Sequence, residues 1–131
     1  MPDATIRQLN PAVLPAATGN YTHGVLVTDP SRLVFVSGQV PWADDDGQVP
    51  PDFEDQCRLV WRNVLAVLAE AGMTVETLAT VTTYLAGRQY REANSRIRAE
   101  VLGSNCPALT IIITDIYAEE WLLEIEAIAV A

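Results

Sequence analysis

The 131 residues, half of them hydrophobic and 19% charged, suffice for one compact domain and leave no room for a second, since domains usually run to about 100–200 residues. Seventeen Asp and Glu face eight Arg and no Lys, a formal charge of -9; that field repels nucleic acid and anionic membrane and favours small-molecule or protein partners. No run approaches the roughly 20 apolar residues needed to cross a bilayer, and Met1-Pro2-Asp3-Ala4 lacks the basic and apolar regions of a leader, so a soluble cytoplasmic protein with a single domain over 1–131 is expected.

Ile6 to Leu9 reads as a short first strand, and Pro11 and Pro15 then hold the chain extended or looped. Tyr21 to Thr28 and Leu33 to Val40 are rich in β-branched and apolar residues and flank Asp29-Pro30-Ser31-Arg32, so a β-hairpin is predicted there. Pro41 to Asp52 is dense in breakers and belongs to a surface loop, with Asp52 as the helix N-cap. Phe53, Cys57, Val60, Trp61, Val64, Val67, Leu68 and Ala71 recur at helical spacing up to Gly72, and Glu54 to Arg58 forms a favourable i,i+4 pair. Leu78 to Leu85 is a strand, Tyr90 to Leu102 a second helix stopped by Gly103, and Ala108 to Thr114 and Trp121 to Ala131 are two further strands. The order is β-β-β-α-β-α-β-β, an α+β or mixed α/β pattern.

Two amphipathic helices cover one side of a sheet of five or six strands, so the other side needs a cover. Leu33-Val34-Phe35-Val36 and Ile111-Ile112-Ile113 are apolar at consecutive positions and expect burial on both faces. Another copy of the chain is the simplest cover, and a loop such as residues 10 to 20 is the alternative.

Several chemistries are excluded first. There is no Gly-rich phosphate loop, HExxH, GxSxG or zinc-spaced Cys/His cluster, so no metal or cofactor is indicated. Asp44-Asp45-Asp46-Gly47 does not alternate as a calcium loop requires and reads as a solvated turn. Cys57 and Cys106 form no CxxC and read as reduced thiols. His23 is the only histidine, which excludes a two-histidine acid-base mechanism within one subunit; it is either a strand histidine satisfied by hydrogen bonds or a catalytic group.

Two features break the apolar pattern. Asn94 sits on the inward stripe of the second helix among Tyr90, Ala93, Ile97 and Val101, where it either caps backbone or lines a cavity. In the last strand Leu122, Glu124, Glu126, Ile128 and Val130 share one face, so two carboxylates interrupt apolar surface. If that face is buried, desolvation raises a carboxyl pKa; if it is an edge, the acids are wet or paired with Arg.

Gly19-Asn20-Tyr21, Leu33-Val34-Phe35-Val36-Ser37-Gly38-Gln39-Val40-Pro41, Phe53-Glu54-Asp55-Gln56 with Ala69-Glu70-Ala71-Gly72, and Leu123-Glu124-Ile125-Glu126-Ala127-Ile128-Ala129 resemble the YjgF/Rid family, also called endoribonuclease L-PSP. The match runs in register from about residue 17 to the C-terminus. It implies a chorismate-mutase-like α+β subunit, a six-stranded mixed sheet backed by two helices, assembled as a homotrimer with clefts between subunits. Its deaminase branch hydrolyses enamine and imine intermediates to a 2-oxo acid and ammonia without a cofactor.

By position the resemblance places Tyr21, Ser37, Asn94 and Glu124 in the cleft, with Glu124 as the acid that orients or activates water and Gly38 and Ile111 as neighbours. Deaminase members carry Arg after Pro-Ala, whereas this chain reads Pro107-Ala108-Leu109-Thr110. That Arg clamps the substrate carboxylate, and Leu109 has no donor to offer. A buried carboxylate left unpaired costs about 3–5 kcal/mol, or two to three and a half decades in binding at roughly 1.4 kcal/mol per decade, which argues against 2-imino acid deamination. Ile111 stands where some members have a thiol. Arg88 and Arg91, at the approach to the second helix, either reach the cleft or are solvated. The expectation is therefore a cleft lined by Tyr21, Ser37, Asn94, Leu109 and Glu124 that hydrolyses a neutral imine or enamine. A non-catalytic metabolite-binding or regulatory trimer is the alternative, and ribonuclease activity ranks below both on the charge, the missing lysines and the lone histidine.

Overall fold

The computed structural model describes residues 5–42 and 47–131; the first four residues and the Asp44-Asp45-Asp46 run lie outside the described residues. The elements follow the expected order: β1 (Thr5–Leu9), β2 (Gly24–Thr28), β3 (Leu33–Gln39), α1 (Phe53–Glu70), β4 (Leu78–Leu85), α2 (Arg91–Leu102), β5 (Ala108–Ile113) and β6 (Leu123–Val130). Single 3-10 turns at Val75–Thr77 and Arg88–Tyr90 lead into β4 and α2.

The start of α1 is fixed by Asp52, whose carboxylate accepts a hydrogen bond from the Asp55 amide at 3.2 Å, and by acids in the first turn that suit the positive end of the helix. Its end is fixed by Gly72, whose φ of 72° is the left-handed conformation that lets Met73 N–H reach back to Leu68 O. Between them Phe53, Cys57, Val60, Trp61, Val64 and Leu68 are buried against Val81, Leu85, Leu123, Ile125 and Ala129. Burial pushes the Cys57 thiol up to about 12, so it is an unreactive part of the core. Both cysteines are free.

The six strands do not form one sheet. The first two make an antiparallel ribbon, and the rest form a four-stranded mixed sheet in the order β3-β6-β4-β5, with only β4 and β5 parallel. The predicted hairpin between β2 and β3 is corrected accordingly. Asp29 takes a φ of 54°, and the amides of Ser31 and Arg32 bond to Ala131 O at 2.8 and 2.9 Å. The turn thus delivers β3 to the C-terminal strand, and Leu33 pairs with Val130 rather than with β2. A lone bridge from Thr22 to Ala108 is the ribbon's tie to the larger sheet.

Along the sheet α1 packs across β3 and β6, and α2 lies beside α1. The Glu54 to Arg58 pair is not what forms: Arg58 reaches Glu100 and Glu54 accepts from Arg96 at 2.7 Å, so both ion pairs tie α1 to α2. The second helix therefore leans away from β5, whose Ile111 is 39% exposed on the helix side. On the far side the sheet is bare. Phe35 is 71% exposed and Ile112 42%. Residues 10–20 do not cover it: Pro15 O instead accepts from His23 Nε2 at 2.7 Å, and Asn10 Oδ1 from the His23 amide. The histidine is thus held by hydrogen bonds in the bend just before β2. Among the described residues no helix is long and apolar enough to cross a membrane.

Candidate functional site

The acid predicted to do chemistry stands on β6, and a defect in the neighbouring strand makes room for it. Val36 pairs with Ala127 and Gln39 with Ile125, so three steps on β3 match two on β6 and a bulge falls at Ser37-Gly38. A Cβ added to Gly38 would overlap the Glu124 carboxylate. A side chain at 38 would therefore displace the Glu124 carboxylate from the place it takes against this backbone.

The Glu124 side chain is partly buried and forms no hydrogen bond with any described residue. Desolvation raises its pKa, and the nearby Glu126 charge adds to the rise. Glu126 itself is exposed and accepts from the Tyr84 hydroxyl at 2.9 Å, which raises the tyrosine pKa. Two open pockets of about 290 Å³ each share Glu126. One holds Ser37 with Phe35, Thr82 and Ile128; the other holds Glu124 with Tyr84, Asp115 and Tyr117. Ser37, Gly38 and Glu124 are thus brought together along the bare face.

The other predicted residues are not with them. Strand alternation puts Leu109 and Ile111, which pair with Val81 and Thr83, on the helix side of the sheet, opposite to Glu124. Ile111 lines a separate pocket of about 310 Å³ between α2 and β5, together with Asn94, Arg88 and Arg91. Asn94 is 1% exposed and its Nδ2 has no partner. Of its two predicted roles it takes the cavity, and both arginines reach that cavity as well. Leu109 is partly buried against the core and presents no donor. Tyr21 precedes the Thr22 bridge to Ala108, which sets it at the start of β5, and its ring stands edge-on to His23 with centroids 5.8 Å apart. Within one chain, then, the sheet separates Ser37, Gly38 and Glu124 from Asn94, Leu109 and Ile111.

One residue escaped sequence reading as more than part of a motif. Gln56 is 1% exposed on α1; its amide donates to Pro50 O and Glu120 O at 2.8 and 2.9 Å, and its carbonyl accepts from Leu122 N at 2.8 Å. It pins the chain two residues before Glu124. The signal available was a polar residue directly before Cys57 on the buried stripe. Among the described residues no cluster of His, Cys, Asp and Glu could hold a metal ion.

A family model described as endoribonuclease L-PSP matches residues 12–131. The chain belongs to this family, the YjgF/Rid proteins. Its relatives include TdcF of Escherichia coli strain K12, 32% identical over 124 residues with 88% of this chain and 90% of the other covered. A second is the 2-iminobutanoate/2-iminopropanoate deaminase of the same organism, 31% identical over 119 residues, covering 88% and 91%. Among solved structures, the Rid protein YyfB of Yersinia pestis superposes with a TM-score of 0.84 at 27% identity over 96% of this chain and 98% of that one. The E. coli TdcF structure with bound serine gives 0.71 at 27% identity, covering 95% and 98%. The YjgF/Rid fold is thus shared along nearly the whole chain, and relatives in the family are named as deaminases of reactive intermediates.

Proposed function

We propose that this YjgF/Rid chain is a cofactor-independent hydrolase of small imines and enamines, acting as a homotrimer in clefts between subunits. The observation that carries the reading is Glu124: a partly buried carboxyl without a protein partner, set over a glycine that leaves it space, with a pKa raised by burial. Such a group holds a proton further towards neutral pH than an exposed glutamate and so exchanges protons with substrate. In the proposed reaction Glu124 takes a proton from water as the water oxygen bonds to the imine carbon and the C=N electron pair moves to nitrogen. The carboxyl returns that proton to nitrogen to give a carbinolamine; the same carboxylate then carries the hydroxyl proton to nitrogen as the C–N bond breaks, so that ammonia leaves and a carbonyl remains. An enamine is first protonated at carbon to give the imine.

The trimer is supported by the separation of the two residue groups on opposite sides of one sheet, which a second subunit would bring together, and by the bare apolar face. Leu109 sets the substrate's reacting end: with no guanidinium opposite it, the imine carbon carries no carboxylate. The test is ammonia release above the spontaneous rate from imines generated by amine oxidation of butylamine, set beside 2-iminobutanoate. Hydrolysis of the neutral imine, abolished by Glu124→Gln in a chain that still assembles, is expected. Unchanged turnover in that variant removes Glu124 from the mechanism, and fast turnover of 2-iminobutanoate removes the role given to Leu109. Saturable binding with no turnover of any imine assigns the cleft to a binding or regulatory trimer instead.

A further inference from the structure

We infer that the aromatic rim beside Glu124, built from Trp42, Tyr117 and Trp121 with the carboxylate of Asp115, binds an alkylammonium group. The inference deepens the reading proposed above and rests on it for the ligand's reactive end: the substrate becomes an imine that carries an ammonium group at its far end.

The rim is a built feature rather than a chance exposure. Trp121 lies between β5 and β6; its ring stands edge-on to Trp42 with centroids 5.7 Å apart, and tilted against Tyr117 at 6.4 Å. Two amide side chains of α1, Gln56 and Asn63, lie two turns apart on the helix and hold the backbone that carries both tryptophans. The Gln56 amide donates to Glu120 O and its carbonyl accepts from Leu122 N, on either side of Trp121. Asn63 donates to Val40 O and to Trp42 O, at 3.1 Å each. Tyr117 is nonetheless 96% exposed and Trp42 53%, so neither ring gains much from burial in the fold. Large rings that are held in place and still left open to solvent serve a ligand rather than the core.

Charge decides what that ligand is. Tyr117 lines the pocket that holds Glu124, and the polar groups around it are Asp115, Glu126, Tyr84 and Thr114. Three carboxylates and no base thus face the cavity. None of the three forms an ion pair with a described residue, and Glu119 and Glu120 in the same loop are exposed acids as well. A carboxylate or a phosphate would be repelled there, and a neutral hydrocarbon would leave the negative field unanswered. A cation over the ring faces draws on the π-electron quadrupole of tyrosine and tryptophan and on the carboxylate field at once. Rings and acids together therefore select an ammonium group, which neither selects alone.

The chain order places this anchor. Asp115, Tyr117 and Trp121 all lie in the segment between the end of β5 and the start of β6, on one side of Glu124, whereas Glu126 lies on the other. With its cation at the rim, the ligand brings the C=N carbon to Glu124 through an intervening run of several methylenes. Imines of this class form when a diamine is oxidised at one of its two nitrogens, and that is the class of reaction that would supply the substrate.

Equilibrium binding to the intact protein tests the rim without recourse to turnover, so failure of the hydrolytic reading leaves this measurement standing. Pentylammonium, pentan-1-ol and pentanoate are titrated at constant ionic strength and read by tryptophan fluorescence, with sedimentation velocity on each variant. Pentylammonium is expected to bind saturably and to change the emission, with the alcohol and the carboxylate at least about tenfold weaker. Tyr117→Ala and Asp115→Asn should each weaken pentylammonium about tenfold, as expected for the loss of one desolvated cation contact, whereas Tyr117→Phe keeps the ring face and should bind within about twofold of the parent. Both residues are exposed, so the variants keep the fold. Equal binding of pentylammonium and pentan-1-ol, no saturable binding, or unchanged affinity in the double variant Tyr117→Ala with Asp115→Asn would overturn the inference. So would loss of assembly in Tyr117→Ala, which would assign the rings to a contact between copies of the chain.

Discussion

The two faces of the sheet are made by the same strands and differ in almost everything else. On β6, Leu123, Ile125, Ala127 and Ala129 are buried under α1, while Glu124, Glu126 and Ile128 alternate with them on the open side. On β4, Val81, Thr83 and Leu85 point inward and Thr80, Thr82 and Tyr84 outward. Under α1 the inner face is packed by large apolar side chains, and it opens only where α2 leaves β5 uncovered, at the groove lined by Asn94 and Ile111. The outer face is underdetermined by one chain, with exposed Phe35 and Ile112 beside carboxylates that have open space around them. Along β6 a period of two therefore separates packed positions from the open positions that carry Glu124 and Glu126.

Substitutions on the inner face are expected to do the most damage to the fold. Trp61→Ala removes a side chain that is 1% exposed in the centre of α1, and denaturant titration should show a loss of about 3–5 kcal/mol. Gln56→Ala comes next. It leaves Pro50 O, Glu120 O and Leu122 N without their partner, for an expected cost of about 2–4 kcal/mol. Because Leu122 adjoins the strand that carries Glu124, this variant should also lower imine turnover, which Trp61→Ala refolded at lower temperature should not do to the same degree.

Phe35→Asp sharpens the contrast from the other side. The side chain is 71% exposed in the single chain, so its replacement should change the chain's own stability by within about 0.5 kcal/mol. A charge on that face should nevertheless dissociate the proposed trimer in sedimentation velocity. If the variant assembles as the parent does, the bare face is not the contact surface.

The inner face was also the legible one. Helical spacing from Phe53 to Ala71, the Asp52 cap and the Gly72 stop are local signals, and the helix appears between them within a residue. Strand pairing is not local. Nothing in Asp29-Pro30-Ser31-Arg32 announces that its amides will bond to Ala131, a hundred residues on, so the hairpin and the single six-stranded sheet were wrong in partner though right in strand count. Of the candidate site, the anomalies were readable: Asn94 on an apolar stripe and Glu124 on an apolar face both mark cavities. Their division between opposite faces was not, because it depends on the register of β5 against β4. The same holds for Arg88 and Arg91, whose meeting with Asn94 comes from α2 leaning on α1 and leaving β5 uncovered.

The smallest expected effect is the most specific to the outer face. Glu124 has a pKa raised in the folded chain, first by desolvation and then by Glu126. A carboxyl whose folded pKa exceeds its unfolded one binds more protons in the folded state between those two values, so stability falls as pH rises through that interval and stays lowered above it. Glu124→Gln removes the ionisation and should therefore raise the melting temperature at neutral pH, with the gain vanishing below the ordinary glutamate range near pH 4. Thermal scans of both proteins between pH 4 and 8 read this directly. The same scans on Glu126→Gln control for position, since Glu126 is exposed and already accepts from Tyr84: removing its charge lowers the folded-state Glu124 pKa without removing the carboxyl, so the pH interval should narrow from its upper end rather than disappear. A Glu124→Gln variant with no gain at neutral pH would mean that the carboxyl is as well solvated as any surface acid, and the outer face would then lack the property on which its proposed chemistry depends.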